Sequence, residues 1–214
     1  MRKHLNVMLK AGLSLTFFAL ISVLFVSTSE RLTRDKIIEN KAMMLRQALN
    51  EIVPPQAYDN NLVETKMVLS KEDTGFVKDT PVFFAMKNKQ AVAAIFEVIT
   101  LKGYSGAIKV LVGISARDKS ITGVRIVEHK ETPGLGDKME LRKSNWVLSF
   151  NGKSLSNQSL QDWQVRKDGG QFDQFTGATI TPRAIVNIVK STLLYAQTHL
   201  DDLFSKQLTK KANQ

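Results

Sequence analysis

The chain has 214 residues, of which 43% are hydrophobic, enough for one ordinary domain with a core and an appendage. Its formal net charge is +10, but the bases are scattered, aromatics make up only 7%, and no recognised module argues for a nucleic-acid partner. The absence of cysteine excludes disulfides, cysteine-ligated iron–sulfur clusters, thiol catalysis and lipoprotein acylation within the chain.

The first element is the uncharged run AGLSLTFFALISVLFVSTS, Ala11 to Ser29. At ~1.5 Å per residue it reaches roughly 28 Å as a helix, close to one hydrocarbon core. A cleaved signal peptide would have a shorter apolar region and a better small-residue site than VSTS. The expectation is therefore a retained transmembrane anchor. Arg2, Lys3 and Lys10 precede it, and Arg31, Arg34, Lys36 and Lys41 follow it, so flanking charge does not set the orientation. Long domains translocate largely regardless of such charge. The signal-like start favours a cytoplasmic N-terminus, with the rest of the chain on the periplasmic side of the inner membrane.

Residues 30–55 read as a juxtamembrane helix. Ile38, Leu45, Leu49 and Ile52 share one face, and Pro54-Pro55 ends it. This face packs either on its own domain or on a partner. A polar connector follows. Val82–Lys87 and Ala91–Thr100 read as a hairpin through Asn88-Lys89-Gln90. Gly103–Gly106 is a turn-rich entry to a second hairpin, Ala107–Ser115 and Ile121–His129, through Arg117-Asp118-Lys119. ETPGLG, Glu131 to Gly136, is a loop. Asp137 is placed to cap a short helix reaching Trp146 and Phe150. Asn151-Gly152 is a turn, and Trp163–Lys167 reads as a strand. Thr181 caps and Pro182 opens a last helix whose apolar face is Ile185, Ile188, Val189, Leu193, Ala196, Leu200 and Leu203. The fold class is α+β: a transmembrane helix, then an antiparallel sheet with packed helices. The expected divisions are 1–29, 30–55, 56–205 and a frayed polar tail, 206–214.

His4, His129 and His199 show no metal-ligand spacing, and no nucleophile elbow, Walker loop or dinucleotide fingerprint is present. Any redox chemistry must then come from an organic cofactor. Thr176-Gly177-Ala178-Thr179 stands just before the last helix. Small residues let a ligand approach the backbone, and the free N–H groups of a helix entrance suit a phosphate. A turn followed by a helix cap explains the same residues.

Asp173-x-x-Thr176-Gly177-Ala178-Thr179 resembles the motif of periplasmic proteins that carry covalent FMN. GYSGAIKVLVGIS and ETPGLG resemble further signatures of the same FMN-binding domain family, in the same order and behind the same membrane helix. The resemblance covers roughly the whole chain. Within the family it is to the G subunits of Rnf (Rsx) electron transport complexes. The longer C subunits of sodium-translocating NADH:quinone oxidoreductases are the nearest rival.

The resemblance implies that Thr179 is joined to the FMN phosphate by a flavin transferase that reads Asp173. It implies that Gly177 and Ala178 allow close approach, with Thr176 supporting the turn. Thr181 either caps the helix or also touches phosphate. Glu131, Thr132, Pro133, Gly134, Leu135 and Gly136 are expected to line the flavin ring. Tyr104 and Trp146 are candidate ring neighbours, and core packing is the other reading of Trp146. Partners would be the other subunits of the membrane complex. The chain would be an electron carrier in a complex that couples electron transfer to ion translocation, not a complete enzyme. A cofactor-free, membrane-anchored scaffold is the competing class.

Overall fold

The computed structural model describes residues 2–212, with side chains from residue 6 to residue 209. Helix α1 is Arg2–Ile52. The chain divides into two compact units, Met1–Met44 and Leu45–Gln214. In the first, the apolar side chains from Val7 to Val26 are exposed, and the best window has a mean hydropathy of 2.1. A helix apolar on all sides that no protein core covers is suited to lipid. Two of its threonine hydroxyls are satisfied internally. Thr16 and Thr28 donate to the carbonyls of Gly12 and Leu24 at 2.9 and 2.7 Å.

The second unit is built on one antiparallel sheet in the order β1-β2-β3-β4-β5. The strands are β1 (Met67–Leu69), β2 (Thr80–Lys87), β3 (Gln90–Gly103), β4 (Gly106–Ser115) and β5 (Ile121–Glu128). Both expected hairpins are present. The β2–β3 turn contains only Asn88 and Lys89, each at positive φ, 51° and 63°. That geometry matches strand twist, so Gln90 already pairs with Lys87 instead of turning. The connector also holds β1 and a four-residue helix α2 (Lys71–Thr74), both too short to show a period in sequence.

Three expectations differ from the structure. Trp163–Lys167 is not a strand. Val165 makes one isolated bridge with Phe172, and Arg166–Asp168 is a 3-10 turn. Trp163 and Val165 are apolar because both are buried in the core, not because they alternate on a sheet. The helix expected from Asp137 to Phe150 is two 3-10 segments, Gly136–Met139 and Asn145–Phe150. Ser144 caps the second, accepting from the Trp146 N–H at 3.2 Å. The last helix, α3, is Ile180–Ala212. It starts two residues before Pro182 and continues through residues 206–212, where the sequence predicts a frayed tail. Gln207 is buried there. Residues 213–214 lie outside the described residues.

The sheet is covered on both faces. On one, Phe84, Phe96, Val98, Val110 and Val112 meet Ile185, Val189, Leu193 and Leu200 of α3. On the other, Phe83, Ile95 and Leu111 meet Leu49, Ile52 and Val53. The final turns of α1 thus pack on their own domain. Ile38, expected on the same face, is exposed. Gly113 and Gly123 pair across β4 and β5 and make room for Ile52. A Cβ on Gly113 would collide with the Ile52 side chain and the Thr122 hydroxyl, and one on Gly123 would lie 3.3 Å from Ile52 Cα. Beside this notch Arg125 Nε donates to Glu51 Oε2 at 2.7 Å.

Gly113→Ala is expected to cost about 1–3 kcal/mol by overpacking. Ile52→Ala alone is expected to cost about 2–5 kcal/mol. Because the two sites touch, the double variant should lose clearly less than the sum. Denaturant unfolding of the four proteins in detergent measures this, and strict additivity would contradict the notch.

Candidate functional site

A meander places the β3–β4 turn and the end of β5 at the same end of the sheet. The loop after β5 and the entrance of α3 join them there. Together they form a cleft of about 280 Å³, lined by Tyr104, Glu131, Thr132, Leu135, Gly136, Gly177, Ala178, Thr179 and Ile180. Segments far apart in sequence, GYSG, ETPGLG and TGAT, therefore face one space.

Thr179 is partly exposed at the helix entrance. Its carbonyl accepts the Arg183 N–H at 3.3 Å, so it occupies the N-cap position. An N-cap hydroxyl ordinarily accepts from the second or third helical N–H. Here the third residue is Pro182, which has none. Among the described residues the Thr179 hydroxyl makes no hydrogen bond. Ile180 and Thr181 supply the first-turn N–H donors beside it. The entrance is held from outside by Arg183, which donates to both oxygens of Asp168 at 2.6 and 2.8 Å. That hydrogen bond holds the Asp168 carboxyl below its ordinary range.

The loop that presents Thr179 turns at Thr176-Gly177. Gly177 has φ 78°, and Phe175 bridges to Ala178. Phe175 is buried against Trp146, with ring centroids 5.0 Å apart and edge-on. Trp146 Nε1 also donates to the Asp173 carbonyl at 2.8 Å. Trp146 thus supports the loop from below and does not line the cleft. Asp173 is exposed and paired with exposed Arg166 at 3.0 Å. Neither Asp173 nor exposed Thr176 lines the cleft.

The opposite wall centres on Glu131, which is 6% exposed. Its Oε2 accepts from the Thr181 hydroxyl at 2.6 Å and its Oε1 from the Ser105 N–H at 2.9 Å. Thr181 is fully buried in this bond, so its hydroxyl neither caps α3 nor faces a phosphate, the two roles open to it in sequence. The Glu131 N–H donates to His129 Nδ1 at 3.0 Å, which leaves Nε2 as the nitrogen that donates to Glu140 Oε1 at 2.8 Å. In the loop itself the Gly134 N–H donates to Asp137 Oδ1 at 2.7 Å. Gly134 has φ 79°, a conformation that strains any other residue, although no protein atom lies within 4 Å of where its Cβ would stand. Pro133 and Gly134 shape the loop without lining the cleft. Ile180, which does line it, carries no sequence signal beyond being apolar and 45% exposed.

Residues 103–194 match the family described as FMN-binding domain, and residues 1–52 match the family described as RnfG N-terminal region. The G subunit of the ion-translocating oxidoreductase complex from Vibrio vulnificus is 42% identical over 204 residues, covering 95% of this chain and 96% of the relative. The G subunit of the same kind of complex from Shewanella piezotolerans is 44% identical over 199 residues, covering 92% and 93%. The chain belongs to this G-subunit family. Strands β4 and β5, the cleft and the α3 entrance fall in the FMN-binding domain, and α1 falls in the family's N-terminal region. NqrC of Shewanella oneidensis, a solved structure, aligns over 72% of each chain at 24% identity with a TM-score of 0.46. The G-subunit family and the apolar α1 together make this a membrane-anchored chain.

Glu140 is the titratable support of the cleft wall. Burial works against its charge, but hydrogen bonds from Arg142 and His129 outweigh that and hold its carboxyl below the ordinary range. A carboxyl with a lower folded pKa binds fewer protons when folded. Its stabilisation is complete above the unfolded pKa and is lost as pH falls through the folded one. Glu140→Gln should therefore differ from the parent in melting temperature at neutral pH and converge with it at acid pH. Thermal melts across that range check this; a constant difference would contradict it.

Proposed function

We propose that Thr179 carries FMN as a phosphate ester and that the domain acts as an electron carrier within an ion-translocating membrane complex. The observation that carries this reading is the Thr179 hydroxyl, free of internal bonds at the mouth of a cleft in an FMN-binding domain. The cleft suits the group. Gly177 and Ala178 leave room at the backbone, and the first-turn N–H groups of α3 suit a phosphate. Leu135 and Tyr104 offer apolar and aromatic surface for a planar ring. A cavity of about 280 Å³ lies at the small end of ligand pockets, roughly 300–1,000 Å³. Bound flavin supplies the redox chemistry, and the protein supplies position and electrostatics.

Attachment requires a flavin transferase and an activated flavin donor such as a flavin dinucleotide: Thr179 Oγ attacks the flavin-side phosphorus, the phosphoanhydride bond breaks, the nucleoside monophosphate leaves, and the threonine proton passes to a base. Exposed Asp173 and Thr176 stand where such an enzyme reads the segment. On the periplasmic side a lost cofactor is not readily replaced. A tether keeps its effective concentration on the order of millimolar even with an exposed ring. The other subunits of the complex would be the donor and acceptor.

Protein co-produced with a flavin transferase should be heavier than its sequence mass by one FMN less one water. Thr179→Ala should lose that mass with an unchanged melting profile, because the hydroxyl supports no internal bond. Unmodified parent protein under those conditions would refute the ester and leave the scaffold reading. A reporter fused after Gln214 should be active only when placed outside the inner membrane; a cytoplasmic signal would reverse the orientation.

A further inference from the structure

Glu131 is a buried carboxylate in the wall of the cleft, and no cation pairs with it among the described residues. Its two oxygens accept from neutral donors, the Ser105 N–H and the Thr181 hydroxyl. Two donors directed at its two oxygens suit the acceptor-only carboxylate form. The side chain is fixed by close packing as well. Its Oε1 lies 2.9 Å from where a Cβ on Gly103 would stand, and its Oε2 lies 2.6 Å from where one on Gly136 would stand. Gly136 leaves its space to this carboxylate, and Gly103 leaves its space to the Gly106 carbonyl and Ile108 as well as to Glu131. A carboxylate held without a counter-ion is costly. Thr181 and Ser105 could be bridged by a neutral amide or hydroxyl at less cost. The charge itself therefore calls for a role.

We propose that Glu131 sets the reduction potential of a flavin held in this cleft, keeping it low through its uncompensated negative charge. The inference rests on the FMN reading above. Reduction adds electron density to the ring, and a fixed negative charge in the adjoining wall opposes it more strongly than in water, because the wall is buried. Thr181 and Ser105 are positioning residues. They orient the carboxylate and carry no formal charge. The tie also couples position to charge, because Thr181 stands two residues from Thr179 on the same helix entrance.

The test uses full-length, transferase-loaded protein in detergent and reads three quantities: covalent flavin mass, melting temperature and flavin midpoint potential. Glu131→Gln keeps shape and removes the charge. Its potential should shift upward while the flavin mass remains. Thr181→Val removes the tie and keeps the charge. It should lower the melting temperature and move the potential far less. Thr181→Ser should restore parent behaviour. An unshifted or lowered potential in loaded Glu131→Gln overturns the inference, as does an equal upward shift in Thr181→Val. If Glu131→Gln does not fold, Glu131→Met and Glu131→Asp decide: the uncharged variant should show the upward shift and the charge-retaining one should stay near the parent. An unshifted potential in Glu131→Met, or an equal rise in Glu131→Asp, overturns the inference. Parent protein lacking the flavin mass overturns the proposed function itself, and with it this inference, so the two failures are distinct.

Discussion

The cleft depends on the bonds of one buried side chain. Glu131 touches the β3–β4 turn through Ser105, its own loop through Gly136, and the α3 entrance through Thr181. No regular ladder joins these three segments to one another at this end of the sheet. Leu135 also approaches Gly177, its Cδ2 3.6 Å from where a Cβ there would stand, so apolar proximity adds to these polar bonds. A hydrogen bond to a charged acceptor contributes more than a neutral one, and removing a partner leaves a buried charge. The geometry of the site is therefore specified by polar bonds, while the bulk of the domain is specified by packing.

That division extends through the molecule. The sheet is clamped between two helices that do different work. α3 contributes a long apolar face and carries the Thr179 segment at its start. The end of α1 contributes only Leu49, Ile52 and Val53, seated against the opposite face by the Gly113–Gly123 notch and the Arg125–Glu51 bond. A notch of two glycines fixes where the helix end sits more sharply than a flat apolar face does.

The aromatic cluster behind the Thr179 loop has a comparable role. Trp146, Phe150, Phe172 and Phe175 pack in contact, and the Trp146 N–H holds the Asp173 carbonyl. The loop is thus presented outward on a rigid base, with Asp173 and Thr176 exposed and Thr179 at the cleft.

The sequence by itself determined the elements with long, clean periods. The anchor, both hairpins and the apolar face of α3 were legible because each rests on local repetition that burial enforces. The TGAT and ETPGLG segments were legible as loops by their glycines and prolines, and as a family pattern by their order. What only the tertiary structure decided is how these loops meet. Thr181 was open to capping and to phosphate contact in sequence, and its hydroxyl is spent on a carboxylate fifty residues away. Trp146 was a candidate ring neighbour, and it supports the loop instead. Trp163 and Val165 read as a strand because buried residues outside any sheet are apolar too. Ile180 lines the cleft with no pattern to announce it. In each case the deciding partner lies far along the chain, and a local period carries no information about a contact that the fold, not the neighbouring residues, brings together.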